Sequence, residues 1–149
     1  MGLYFVTQAI NLQEAQEEGL WIISQIHQNR LDIDFPIAID TEDSGATSRG
    51  EEPGRADLLD RNTRTMVCRA IADIINYHQY KPMIYANHYW YDYHLNYSEL
   101  TNYEIWLAQY THSENIKPNF SKNYQMWQYT DKSRVNGISG NVDKNIYYK

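Results

Sequence analysis

The sequence predicts an α/β fold, a mainly parallel sheet with helices packed outside it. Three observations carry this. Short apolar runs alternate with longer stretches of helical period over the first half of the chain, the rhythm of strand–helix–strand units. The chain has 149 residues, 42% hydrophobic and 21% charged, which suits one compact domain with a core. In the second half the spacing shortens. Only 13 residues separate the apolar-aromatic runs Glu104 to Tyr110 and Tyr124 to Thr130, too few for a crossover containing a full helix. The sheet is therefore expected to lose its helices towards the C-terminus.

Taken in order, Gly2 to Val6 (GLYFV) reads as a buried strand. Asn11 opens a helix, with Glu14 three residues on in the pattern of a capping box. Its apolar stripe is Leu12, Ala15, Ile22, Ile23 and Ile26, and Gly19 weakens it. Pro36 begins a second strand, PIAID, and a loop rich in Gly, Glu and Arg runs from about Ser44 to Asp57. Met66, Val67, Ala70, Ile71, Ile74, Ile75 and His78 form the wide stripe of a second helix, which Lys81-Pro82 stops. MIYA follows as a third strand. Cys68 reads as a packing residue on the flank of the second helix. As the single cysteine, it excludes an internal disulfide and a cysteine-rich zinc site.

The net charge of −6 argues against a nucleic-acid partner, because phosphate binding needs a basic surface. No apolar run is long enough to span a membrane, and no signal-peptide pattern is present. The 14 Tyr and 4 Trp fit either a cleft for carbohydrate, whose rings offer apolar faces and hydroxyl edges, or a Tyr-rich core and surface.

The PIAID strand ends in acids. Side chains alternate along a strand, so Ile37, Ile39 and Thr41 point towards the helices while Ala38, Asp40 and Glu42 point into the sheet's interior face. Two carboxylates side by side at the C-terminal end of a parallel strand sit where α/β barrels place their chemistry. They cannot both ionise freely, and a raised carboxyl pKa supplies a general acid near neutral pH. Glycoside hydrolysis uses such an acid with a second carboxylate. A strand end running into an acidic loop, or a divalent-cation site, are the other readings. Asp32, Asp34, Asp43 and the histidines show no clean ligand spacing.

Motifs along nearly the whole chain settle on one family. Gly-Leu-Tyr-Phe (2 to 5), Ile39-Asp40-Thr41-Glu42, Pro82-Met83-Ile84-Tyr85, Ile105-Trp106-Leu107-Ala108-Gln109-Tyr110, Trp127-Gln128-Tyr129-Thr130 and Val135 to Asp143 (VNGISGNVD) occur in this order. Together they resemble glycoside hydrolase family 25, the lysozymes that act as N-acetylmuramidases. The resemblance implies an irregular TIM-like (β/α) barrel with few helices in its C-terminal half, and a single catalytic domain over residues 1–149. It implies a peptidoglycan hydrolase cleaving the β-1,4 bond between N-acetylmuramic acid and N-acetylglucosamine. The alternative is a degenerate homologue that binds cell-wall carbohydrate without turnover. Glu42 would be the general acid, and Asp40 would assist the substrate's acetamido group or hold charge. Asp143 would complete the acidic base of the cleft. Tyr85, Tyr110, Trp106, Gln128 and Tyr4 would meet the glycan. Trp127 and Gln128 cannot both face inward from a regular strand, so their roles stay open. The resemblance implies no cofactor, peptidoglycan glycan strands as partner, no nucleic acid or membrane, and action at the cell wall or outside the cell.

The family's first strand, which carries an Asp, and its second have no counterpart before Met1, and 149 residues fall short of the ~200 or more that such barrels commonly need. The expectation is thus a barrel incomplete at its N-terminus. Its open seam would invite self-association.

Overall fold

A computed structural model describes residues 1–148. Strands β1 (Leu3–Val6), β2 (Ile37–Asp40), β3 (Pro82–Asn87), β4 (Glu104–Ala108), β5 (Met126–Ser133) and β6 (Val142–Tyr147) form one six-stranded sheet in sequential order. The first five strands are parallel, and β6 returns antiparallel to β5. Sequential parallel strands joined by crossovers of one hand put every crossover on the same face. The sheet curls accordingly as half of a barrel, with a helix-covered outer face and an open inner face.

Helices α1 (Leu12–Gln28) and α2 (Arg61–Tyr77) cover the outer face, and the short α3 (His88–Tyr93) follows β3 directly. The Asn11 side chain caps α1 by accepting from the Glu14 amide at 2.9 Å, and Asp60 caps α2 through the amides of Asn62 and Thr63. Gly19 does more than weaken α1. A Cβ there would lie 3.0 Å from Ile74 Cδ1, so the glycine is what lets α1 and α2 approach. Leu12, counted in the α1 stripe, is half exposed. The α2 helix stops at Tyr77, before Lys81-Pro82, where Gln79 takes a left-handed φ of 65°.

The core lies between helices and sheet. Ile22, Ile23, Ile26, Val67, Ile71 and Ile75 pack on Ile37, Ile39, Ile84, Ile105, Leu107 and Trp127. Cys68 is a fully buried member of that core, and burial pushes its thiol up to about 12.

One expectation needs correction. β1 is a strand but not a buried one. Leu3 and Phe5 pack against the core, whereas Tyr4 and Val6 are 69% and 48% exposed on the inner face. Among the described residues β1 has a strand on one side only, so these two side chains are left uncovered on the other side. The loop from Ser44 to Asp57 contains two 3-10 turns, Thr47–Arg49 and Arg55–Leu58.

Candidate active site

Strand register builds the site. Parallel neighbours in register point the same way, so Val6, Asp40, Tyr85 and Trp106 form one row across the inner face. A second row, one step nearer the strands' C-terminal ends, holds Asn87, Ala108, Gln128 and Asn145. The pairing runs past the strand ends, because the Thr7 amide donates to Asp40 O at 3.0 Å and the Thr41 amide to Tyr85 O at 3.1 Å. Asp40-Thr41-Glu42 is thereby held extended. Asp40 and Glu42 both face the cleft, and Thr41 turns back towards α2. The cleft, about 390 Å³, is lined by Tyr4, Val6, Asp40, Glu42, Tyr85, Trp106, Tyr110, Gln128, Asp143 and Asn145. Every residue the sequence nominated for the site lies along it.

The acids are poorly partnered. Asp40 is 6% exposed, and its Oδ1 is buried with no hydrogen-bond donor. Burial first, and then the charge of Glu42, push the Asp40 carboxyl up to about 7. Glu42 is half buried, and its carboxyl is also raised, by burial and by the charges of Asp143 and Asp43. Alternation along one strand foresees a single raised group. Both rise because desolvation acts on each separately and is the larger cause for each, and neighbouring acid charges add to it.

A hydrogen-bonded wall stands opposite. Tyr85 and Tyr110 hydroxyls donate to Gln128 Oε1 at 2.9 and 3.0 Å, and Gln128 Nε2 donates to Asp143 Oδ2 at 3.1 Å. The amide thus uses its carbonyl to orient two tyrosines and its NH₂ to hold the third acid. Trp106 Nε1 donates to Asn145 Oδ1 at 2.9 Å, and its ring meets Tyr85 edge-on at 4.8 Å. The open choice on β5 is resolved. Trp127 faces the helices, fully buried, with Nε1 on Gln109 O, and Gln128 faces the cleft. Sequence reasoning missed Asn145, although its spacing of two from Asp143 on β6 places both on one face. It also missed Val6, two residues after Tyr4. Among the described residues no group of three or more His, Cys, Asp or Glu is arranged to hold a metal ion.

This arrangement can deliver a proton from a raised carboxyl to a ligand lying against aromatic faces and fixed amide groups. Comparison with known proteins bears on what that ligand is. The family model for glycosyl hydrolases family 25 matches residues 1–138, a span that takes in Asp40 and Glu42 and stops short of Asp143. The uncharacterized protein YegX of Escherichia coli K12 is 29% identical over 115 residues, 76% of this chain and 37% of YegX. The CTP1L endolysin superposes with a TM-score of 0.74 at 25% identity, over 98% of this chain and 46% of its own. The modular autolysin LytC from Streptococcus pneumoniae gives 0.77 at 21% identity, over 97% of this chain and 33% of its own. The Cpl-1 endolysin complexed with a peptidoglycan analogue gives 0.69 at 20% identity, over 98% of this chain and 38% of its own. The chain therefore spans less than half the length of each of these proteins.

Proposed function

The chain belongs to glycosyl hydrolases family 25, and we propose that it hydrolyses peptidoglycan at the cell wall. The bond cut is the β-1,4 link between N-acetylmuramic acid and N-acetylglucosamine. The observation that carries this reading is the Asp40–Glu42 pair, two acids with raised pKa values and no cationic partner, at the base of an aromatic cleft. The peptidoglycan ligands of LytC and Cpl-1, proteins of similar fold, support the choice of substrate.

Glu42, nearer the opening, donates its proton to the leaving glycosidic oxygen. A glutamate at its ordinary pKa would already be ionised near neutral pH, and burial keeps this one protonated higher. The charge of Glu42 holds back the ionisation of Asp40, and the charges of Asp143 and Asp43 hold back that of Glu42. The reacting form has the proton on Glu42 and the charge on Asp40, and it is reached once the raised Asp40 carboxyl, at about 7, has given up its proton; there Asp40 assists the substrate's acetamido group or stabilises developing positive charge. Asp143, held by Gln128, keeps the base of the cleft negative. The rings of Tyr4, Tyr85, Trp106 and Tyr110 offer flat faces to sugar rings.

Replacing Glu42 by Gln tests the assignment. Glutamine keeps the shape and carries no transferable proton, so clearing of a cell-wall suspension should slow by about 10²-fold or more. The circular dichroism spectrum should stay unchanged. Clearing at the rate of the parent chain by a folded Gln variant would remove Glu42 from the mechanism.

A further inference from the structure

Beneath the acid pair lies a buried cation that the proposed chemistry does not use. Arg64 projects from α2, is 1% exposed, and forms no ion pair with any described carboxylate. A guanidinium in that position is costly to desolvate and is expected to be held by several acceptors. Its acceptors are few and specific. Nη2 donates to Ala56 O at 2.5 Å and reaches Asp57 O at 3.4 Å, and Nη1 reaches Thr41 Oγ1 at 3.4 Å. Its Cζ lies over the Trp90 ring, 4.1 Å from the centroid, and Nε has no partner. Thr41 is the residue between Asp40 and Glu42. Asp57 closes the other arm, its carboxylate accepting from the Ser44 amide at 3.0 Å, the Ser44 hydroxyl at 2.6 Å and the Gly54 amide at 2.7 Å. Ser44 is two residues past Glu42.

We propose that Arg64 is a positioning residue that grips the chain on both sides of Glu42, at Thr41 directly and at Ser44 through the Ala56–Asp57 backbone and the Asp57 carboxylate. It touches no substrate. Its fork spans two acceptor groups that a point-like ammonium could not span together. The grip matters because the strand pairing ends at the Thr41 amide and Glu42 is the first residue beyond it, and a general acid misplaced by about 1 Å can lose about 10²-fold in rate. Gly54 shows how tightly the second arm is drawn, since a Cβ there would stand 2.9 Å from both Ser44 Cβ and Ser44 Oγ. The inference rests on the proposed role of Glu42 as proton donor, but the position of that carboxyl can be read without any turnover.

The groups facing Glu42 are Asp40 on β2, Asp43 beside it, Tyr85 on β3, Tyr110 beyond β4 and Asp143 on β6. All of these are acids or phenols, so a loosened Glu42 that swings into water escapes both burial and repulsion. Its carboxyl pKa then falls towards the ordinary glutamate value.

Three variants test the clamp: Arg64→Lys, which keeps the charge and loses the fork, Ser44→Ala, and Gly54→Ala. The last adds one methyl that pushes Ser44 away while removing no hydrogen-bonding group. Glu42 is followed by carboxyl NMR titration, and kcat and KM are measured on cell walls. The expected result is a lowered Glu42 pKa in all three, with kcat down about tenfold and KM nearly constant. Arg64→Lys should show the largest drop. The alkaline limb of the pH–rate profile should move down with the pKa. Should Arg64→Lys fail to fold, the two loop variants decide. Folded variants that titrate Glu42 where the parent chain does would overturn the clamp. A parent chain without hydrolytic activity would sink the proposed function alone, because the titration still reads the clamp.

Discussion

Two carboxylates on the inner face of this sheet meet opposite fates. Glu104 and Asp40 both point to that face, and Glu104 sits in the row of Ala38 and Met83, one step nearer the strands' N-terminal ends. Glu104 forms an ion pair with Lys81, and its two oxygens accept from the Tyr147 hydroxyl at 3.0 and 2.9 Å. Asp40 has no cation, an empty Oδ1, and another acid as its nearest charge. Position on the concave face is common to both. They differ in burial, Asp40 being buried and Glu104 only partly so, and in donors: a carboxylate given a lysine and a phenol becomes a strut, whereas Asp40, dried and without a donor on Oδ1, has its ionisation held back. The proposed chemistry thus lies at the end of the strands where an acid is left without donors, and the acid at the other end is satisfied.

The largest expected effect comes from neutralising the deprived acid. Asp40→Asn should cut wall clearing by about 10²-fold or more while making the fold more stable at neutral pH. The sign follows from linkage. The folded-state pKa is raised from 3.8 to about 7, so the native state binds more protons than the unfolded chain between those values. Stability of the parent chain therefore declines as pH rises through that window. The advantage of Asn should be nil below about pH 4, grow to roughly 2–4 kcal/mol near pH 7 and stay flat above. Urea unfolding at several pH values would read it, and a variant less stable at pH 7 would contradict the raised pKa.

The partnered acid should behave the other way. Glu104→Gln leaves Lys81 without its counter-charge and weakens the bond to Tyr147, at a cost of about 1–3 kcal/mol. Catalysis should be almost unchanged by this substitution when measured well below the new melting temperature. Activity loss as large as that of Asp40→Asn would erase the distinction between the two ends.

Least disruptive should be Tyr110→Phe, which removes one of two hydroxyls on Gln128 Oε1 and leaves Tyr85 in place. The amide stays oriented, so about 1 kcal/mol is expected, seen as a severalfold rise in KM with little change in kcat.

How much of this could be read from the chain alone divides along physical lines. Properties set within one segment were legible. The period of two put Asp40 and Glu42 on one face and Ile37 and Ile39 on the other, the helical stripes located α1 and α2, and Asn11 announced its cap. These depend on backbone geometry that neighbouring residues impose on one another. Properties set between segments were not legible. Whether Trp127 or Gln128 entered the cleft depended on the register of β5 against β4. Asn145 reached Trp106 only because β6 turns back antiparallel. Glu104 was quenched by Lys81 and Tyr147, the latter 43 residues away, and Arg64 was drawn under Thr41 by the packing of α2 on the sheet. The sequence by itself determined which side chains could share a face. The tertiary structure decided which of them would be dried and which would be given a partner, and hence that the ionisation of Asp40 and Glu42 would be held back, because desolvation and long-range pairing exist only once distant segments have met.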